Sequence, residues 1–169
     1  MTAIPENEEQ RLAALRRYDI LDTEPEPAFD DLTRIVAQFC GVPMATVSLI
    51  DHDRQWFKAR HGTEITETPL EASVCAHGIL QPELLEIEDL TKDVRTIDNP
   101  IVAGDPNIRF YAGAALTNPD GYPLGMLCVL DFQPRKLSAV QRDLLQVMAK
   151  LVMRQIELRR SLKEEQKAH

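Results

Sequence analysis

The stretch ASVCAHGIL, residues 72–80, sets a thiol and an imidazole two positions apart among small and apolar side chains. A Cys–His pair invites two readings: a nucleophile with its base, or two ligands for a soft metal. Local geometry rejects both. Ser73 reads as the N-cap of a short helix, and at 3.6 residues per turn positions two apart point roughly 200° from each other. Metal ligands on a helix sit at i, i+3 or i, i+4 instead, and no second Cys or His stands at that spacing. His52 or His61, from an adjacent hairpin, is the remaining partner for Cys75. A helix N-terminus favours thiolate, which makes Cys75 the most reactive-looking of three thiols. Cys40 falls on an apolar helical stripe and Cys128 lies in the strand-like LCVLD, so both read as core. Cys75 and His77 are therefore read as residues that line or buttress a pocket.

Arg109, Phe110 and Tyr111 enter a strand whose alternate side chains face one side. Arg109 there could meet an anionic ligand, or pair with Asp131 or Asp105. Trp56 and Phe57 are neighbours on a strand, so one faces a core or pocket and the other does not. Asp51 and Asp131 both end strands, where a carboxylate closes a turn by accepting from backbone amides. The adjacent carboxylates Asp30–Asp31 and Glu164–Glu165 diverge on helices and carry no acid–base assignment.

These residues sit in a chain of 169 residues with 44% hydrophobic and 27% charged side chains, enough for one domain. A net charge of −8 argues against nonspecific nucleic-acid binding and against an anionic membrane surface. The basic residues Arg154, Arg159, Arg160 and Lys163 are interleaved with Glu157, Glu164 and Glu165 and read as a solvated helix face. No stretch approaches the ~20 apolar residues of a membrane span, and the acidic start MTAIPENEEQRLAAL lacks the apolar core of a secretion signal. Three widely spaced cysteines fit reduced thiols and a cytoplasmic location.

The elements that must position the candidates follow from periodicity. ENEEQRLAALRRYDIL is a short amphipathic helix with Leu12, Leu15 and Tyr18 on one face. Pro25 and Pro27 separate it from AFDDLTRIVAQFCG, whose stripe Phe29, Leu32, Val36, Phe39 and Cys40 predicts a second helix stopped by Gly41. VPMATVSLID and RQWFKARHG form a hairpin. Residues 63–80 read as a loop entering a short helix, ELLEIEDL as a short strand, and 91–107 as irregular cover. The hairpin around Asn118-Pro119-Asp120-Gly121 is the strongest β signal. Ser138 caps a long final helix with Val140, Leu144, Val147, Met148, Leu151, Leu158 and Leu162 on one stripe. At thirty residues it runs ~45 Å, longer than the body it packs on. Its second half, RQIELRRSLKEEQK, carries apolar residues only at Ile156, Leu158 and Leu162, and reads as a fraying terminus or, the favoured reading, as a helix that a partner helix stabilises as a coiled coil.

In order and spacing, RLAALRRYDILDTEPEPAFDDLTRIVAQFCGVPMATVSLIDHDRQWFKARHG, SVCAHGIL, DNPIVAGDPNIRFYAGAAL and GYPLGMLCVLD resemble a GAF domain of the bacterial sensor type found ahead of histidine kinases and diguanylate cyclases. The resemblance implies an α+β fold with a central antiparallel sheet of five or six strands. N- and C-terminal helices would lie on one face, and a pocket covered by a short helix and loops on the other. In such relatives the pocket holds cyclic nucleotides, bilins, haem or small metabolites; which cofactor, if any, this chain takes is left unknown. Residues 1–25 are assigned to an N-terminal helix and linker, 26–160 to the GAF domain and 138–169 to a long helix that extends as a dimer helix. The pocket candidates are Trp56, Phe57, Cys75, His77, Arg109 and Tyr111, none of them catalytic.

Function then divides three ways. The first is a homodimeric small-molecule sensor that works on a histidine kinase or diguanylate cyclase effector in signal transduction, such as a two-component system. The second is a cysteine-based free methionine sulfoxide reductase. VCAHGI resembles the matching segment of those GAF enzymes, but NPIVAGDPNIRF lacks the cysteine expected there. The third is a dimerisation module without a ligand. A bilin site resembling that of phytochromes would need the Cys beside the His, and here Ala76 separates them.

Overall fold

Strands β1 (Met44–Ile50), β2 (Arg54–His61), β3 (Glu67–Pro69), β4 (Leu84–Ile87), β5 (Phe110–Thr117) and β6 (Pro123–Asp131) form one antiparallel sheet. Their order is β3-β2-β1-β6-β5-β4. The computed structural model describes residues 6–168 apart from Pro82. The start of segment 1–25 and the end of segment 138–169 lie outside the described residues. Helices α1 (Glu8–Arg17), α2 (Pro27–Cys40) and α5 (Ala139–Ala168) pack on one face. The short α3 (Cys75–Gly78) and α4 (Pro100–Ala103), with two single turns at 70–72 and 90–92, cover the other. This is the expected α+β architecture. The sixth strand is β3, three residues on the edge of β2 within the stretch read as a loop. So short a run has no alternation for a period argument to find.

Both faces being covered, the central strands bury almost everything: all seven residues of β1 are buried. Both expected hairpins are present. In the second, Asn118 Oδ1 accepts from the Tyr122 amide at 2.8 Å and Gly121 takes a φ of 88° that other L-residues adopt only at a cost. Asp51 and Asp131 each accept from the next backbone amide, at 2.8 and 2.6 Å, as their positions predict.

Two helical stripes differ from expectation. On α2, Phe29, Val36 and Cys40 are buried and Gly41 ends the helix in the left-handed region, but Phe39 is exposed together with Ile35. On α5, Ser138 and Gln141 cap the start reciprocally. The residues α5 buries are Leu145, Ala149, Val152, Met153 and Ile156. Val140, Val147, Leu151, Leu158 and Leu162 of the expected stripe form a second face, 40–66% exposed in the single chain. At 100° per residue that stripe spans an arc of about 60°, its centre about 150° from the buried face. The helix is apolar on two opposite sides, and the longer, cleaner stripe is the outer one.

The basic residues of α5 are more than a solvated face. Arg159 reaches Glu26 at 2.7 Å and the Asp19 carbonyl at 3.1 Å. Lys163 reaches the Asp19 carboxylate at 3.5 Å, and Arg160 stacks over the Tyr18 ring, whose hydroxyl donates to Glu157. The segment between α1 and α2 thus straps the outer half of α5. Glu26 also holds Lys58 of β2, whose side chain is fully buried and donates to Thr23 Oγ1 (2.8 Å) and the Glu24 carbonyl (2.6 Å). Lys58 is the extra residue of a β-bulge: Val47 pairs with Ala59 and Ser48 with Phe57. Burial works against the Glu26 carboxylate, but the hydrogen bonds and charges of Lys58 and Arg159 outweigh it and hold its pKa below the ordinary range.

Removing Glu26 takes away the ion-paired counter-charge of the buried Lys58 ammonium and, among the described residues, leaves only the unpaired charge of Asp30 near it. Glu26→Gln is expected to cost about 2–3 kcal/mol at neutral pH, below the figure for a fully buried pair because Glu26 keeps part of its surface in water. A depressed carboxylate pKa stabilises above the unfolded-state value and is lost as pH falls through the folded-state one. Urea denaturation across pH should therefore show the gap between wild type and variant closing in that acidic window. A gap that persists there would contradict the assignment.

Candidate functional site

Between the sheet and its cover lies a cavity of about 60 Å3, lined mainly by apolar atoms. Ser73 holds the cover in place. Its hydroxyl accepts from the Ala76 amide at 3.1 Å and donates to Gln55 Oε1 at 2.8 Å, while Gln55 Nε2 donates to Thr68 at 3.1 Å. The predicted cap thus also ties α3 to β2. Gly78 lets α3 sit close on the sheet: a Cβ there would come within 2.5 Å of the Met126 methyl.

Of the six candidates, Phe57, Cys75 and Tyr111 line this cavity. Trp56 points the other way, into the core under the helices, as strand alternation requires of one of the two aromatics. His77 diverges from Cys75 on α3, as their spacing predicts, and faces a separate outer cleft of about 420 Å3 beside Glu71, Arg95 and Asp98. Burial, then the Arg95 charge, lowers its pKa. Arg109 reaches neither the cavity nor an aspartate: its guanidinium donates to the Val102 and Ile108 carbonyls at 2.8 and 3.1 Å, pinning α4. Asp131 pairs with Arg135 instead. His52 is exposed at the β1–β2 turn and His61 lines another groove, so neither serves Cys75 as a base. Among the described residues no cluster of three or more His, Cys, Asp or Glu is placed to hold a metal.

Cys128 is in the core, as expected, but in the layer that borders the cavity, which sequence reasoning did not resolve. It lies on the cavity side of β6, opposite Thr46 of β1 and Gly113 of β5. Its sulfur is 3.7 Å from that of Cys75 and 2.9 Å from Thr46 Oγ1, which is itself 2.8 Å from Ser48 Oγ. Tyr111 Oη donates to Cys75 Sγ at 3.1 Å. Burial pushes the Cys75 thiol up, against the lowering expected of a helix N-terminus, because α3 is a single buried turn. Hydrogen bonds from Cys75 and then Thr46 pull Cys128 down despite its burial. Parity along LCVLD would have placed Cys128 opposite Leu127 and Val129, which are in the helix-side core. The apolar run hid that alternation.

The chain matches the GAF domain family over residues 24–156 and belongs to it. It is 41% identical over 159 residues to a cyclic di-GMP phosphodiesterase of Pseudomonas aeruginosa, covering 93% of this chain and 27% of that protein. The chain thus spans about a quarter of that relative's length. The GAF domain from Acinetobacter phosphoenolpyruvate-protein phosphotransferase superposes with a TM-score of 0.65 at 18% identity, over 92% of this chain and 98% of that one. Free methionine-R-sulfoxide reductase from Neisseria meningitidis does so with a TM-score of 0.66 at 15% identity, over 96% and 99%. At those identities the two structures share the fold.

The opposite faces of Trp56 and Phe57 give a direct check. Trp56→Ala should cost about 3–5 kcal/mol in chemical denaturation. Phe57→Ala, at a half-buried cavity wall, should cost about 1–2 kcal/mol. The reverse order would contradict the assigned sides.

Proposed function

We propose that the chain is a small-molecule-sensing GAF module whose pocket occupancy sets the arrangement of paired α5 helices in a homodimer. The observation that carries this reading is the second apolar stripe of α5, which lies opposite the stripe used by the core and has no intramolecular partner among the described residues. A stripe recurring at three- and four-residue steps is the geometry of a two-helix seam, and the exposed Ile35 and Phe39 of α2 extend the apolar surface. Residues 26–160 act as the sensing domain and 138–169 as the output helix.

The cavity as it stands is smaller than the roughly 150 Å3 that takes benzene, and far smaller than the roughly 300–1,000 Å3 of a drug-sized site. A larger ligand enters only if the cover moves. The cover is built for it: α3, α4 and two single turns are each four residues or fewer, joined by loops. The same size argument disfavours a reductase acting on free oxidised methionine, which would need the amino acid seated beside Cys75. A GAF-containing relative named for cyclic di-GMP hydrolysis favours an effector that acts on that dinucleotide over a histidine kinase. No helix among the described residues is long and apolar enough to cross a membrane.

Light scattering across concentrations tests the seam. The wild-type chain is expected to be a dimer, and Leu151→Glu with Leu158→Glu a folded monomer with unchanged helicity. A wild type that stays monomeric would end the proposal. Native mass spectrometry of protein from its own host tests the sensor half. A small molecule carried by the dimer supports it, and a bare dimer throughout favours a dimerisation module.

A further inference from the structure

We propose that Cys75 and Cys128 form a redox-active dithiol that closes to an intramolecular disulfide when a hydroperoxide enters the cavity they line. Two observations carry this independently of any ligand-sensing role. The sulfurs are in contact at 3.7 Å, on elements 53 residues apart in sequence. Both also border the same cavity, which admits a molecule the size of water or hydrogen peroxide. Bond formation at about 2.05 Å requires the sulfurs to approach by about 1.7 Å. Cys128 is fixed in a central strand, so the movement falls to α3, one helical turn tethered through Ser73 to Gln55.

The hydrogen bonds set the roles. Tyr111 donates to Cys75, and both Cys75 and Thr46 lie within hydrogen-bonding distance of Cys128. Thiolate is the reactive form; two groups in donating position face Cys128 and one faces Cys75, so Cys128 is assigned as the sulfur that attacks. Its thiolate attacks the terminal peroxide oxygen: an S–O bond forms, the O–O bond breaks, and the alkoxide or hydroxide leaves, taking up the proton Cys128 gave up to become the alcohol or water. The Cys75 sulfur then attacks the sulfenic sulfur, an S–S bond forms, the S–O bond breaks, and hydroxide leaves as water with the Cys75 proton. Two thiols lose two hydrogens in total, and one hydroperoxide becomes one alcohol and one water. Cys40 provides an internal control. It is equally buried, lies under the helices on the other side of the sheet, and burial pushes its pKa up to about 11.

The reduced chain is treated with hydrogen peroxide, quenched with an alkylating agent in denaturant, and digested for peptide mass spectrometry. A Cys75–Cys128 linked peptide is expected, with loss of two hydrogens from the intact mass, reversal by dithiothreitol, and Cys40 still free at times when the pair is fully linked. In Cys75→Ser the link is absent and Cys128 becomes trappable by dimedone as the sulfenic acid. Because the wild-type measurement needs no variant, it decides alone. Retention of all three thiols, over-oxidation without a link, or oxidation of Cys40 at the rate of the pair would overturn the proposal.

Discussion

A sheet covered on both faces gives each side chain of its inner strands a choice between two buried layers, and parity along the strand makes that choice. In β2 the consequence is immediate. Trp56 enters the helix-side core, Phe57 forms a cavity wall, and Lys58 returns to the helix side to meet Glu26. Phe57 is thus one peptide bond from a buried ammonium whose partner, Glu26, also holds Arg159 of α5. The bulge at Lys58 makes this stretch of strand less firmly paired than its neighbours.

The strap between α1 and α2 holds the far half of α5. Tyr18, Asp19 and Glu26 all engage α5 beyond its core-packed half, at Glu157, Arg159, Arg160 and Lys163. The inner half is held by burial of Leu145, Ala149 and Val152, which is large and unspecific in direction. The outer half is held by charged and hydrogen-bonded contacts, individually small and sensitive to geometry.

Much of this was legible beforehand, and where it was not the reason is physical. The hairpins, the capping serines 73 and 138, the stop at Gly41 and the divergence of Cys75 from His77 follow from local rules that tertiary structure did not override. The outer stripe on α5 was legible and given to a partner helix, but the second stripe, through Leu145, Ala149, Val152 and Met153, which packs on the sheet, was not singled out, because periodicity reports that a face is apolar and not what covers it. Arg109 was sought in the pocket, yet its guanidinium satisfies two carbonyls of the cover, a demand set by loop conformation that no sequence spacing encodes. Cys128 was legible as core, but the side of the sheet it faces was hidden in a continuous apolar run, the normal appearance of a strand buried on both sides. Gln55 and Thr46, which organise the cover and the thiols, carry no motif at all.

The central claim is that the cavity and α5 are coupled across the sheet, and coupling must be shown rather than inferred from adjacency. Hydrogen exchange with peptide-level mass spectrometry, comparing wild type with Ala72→Ile, measures it directly, since Ala72 lines the cavity and its larger replacement imitates an occupant. The account predicts altered exchange in the strap at residues 18–26 and in the outer half of α5, as well as in the cover. Changes confined to α3 and its flanking loops, with the strap and α5 unaltered, would contradict it.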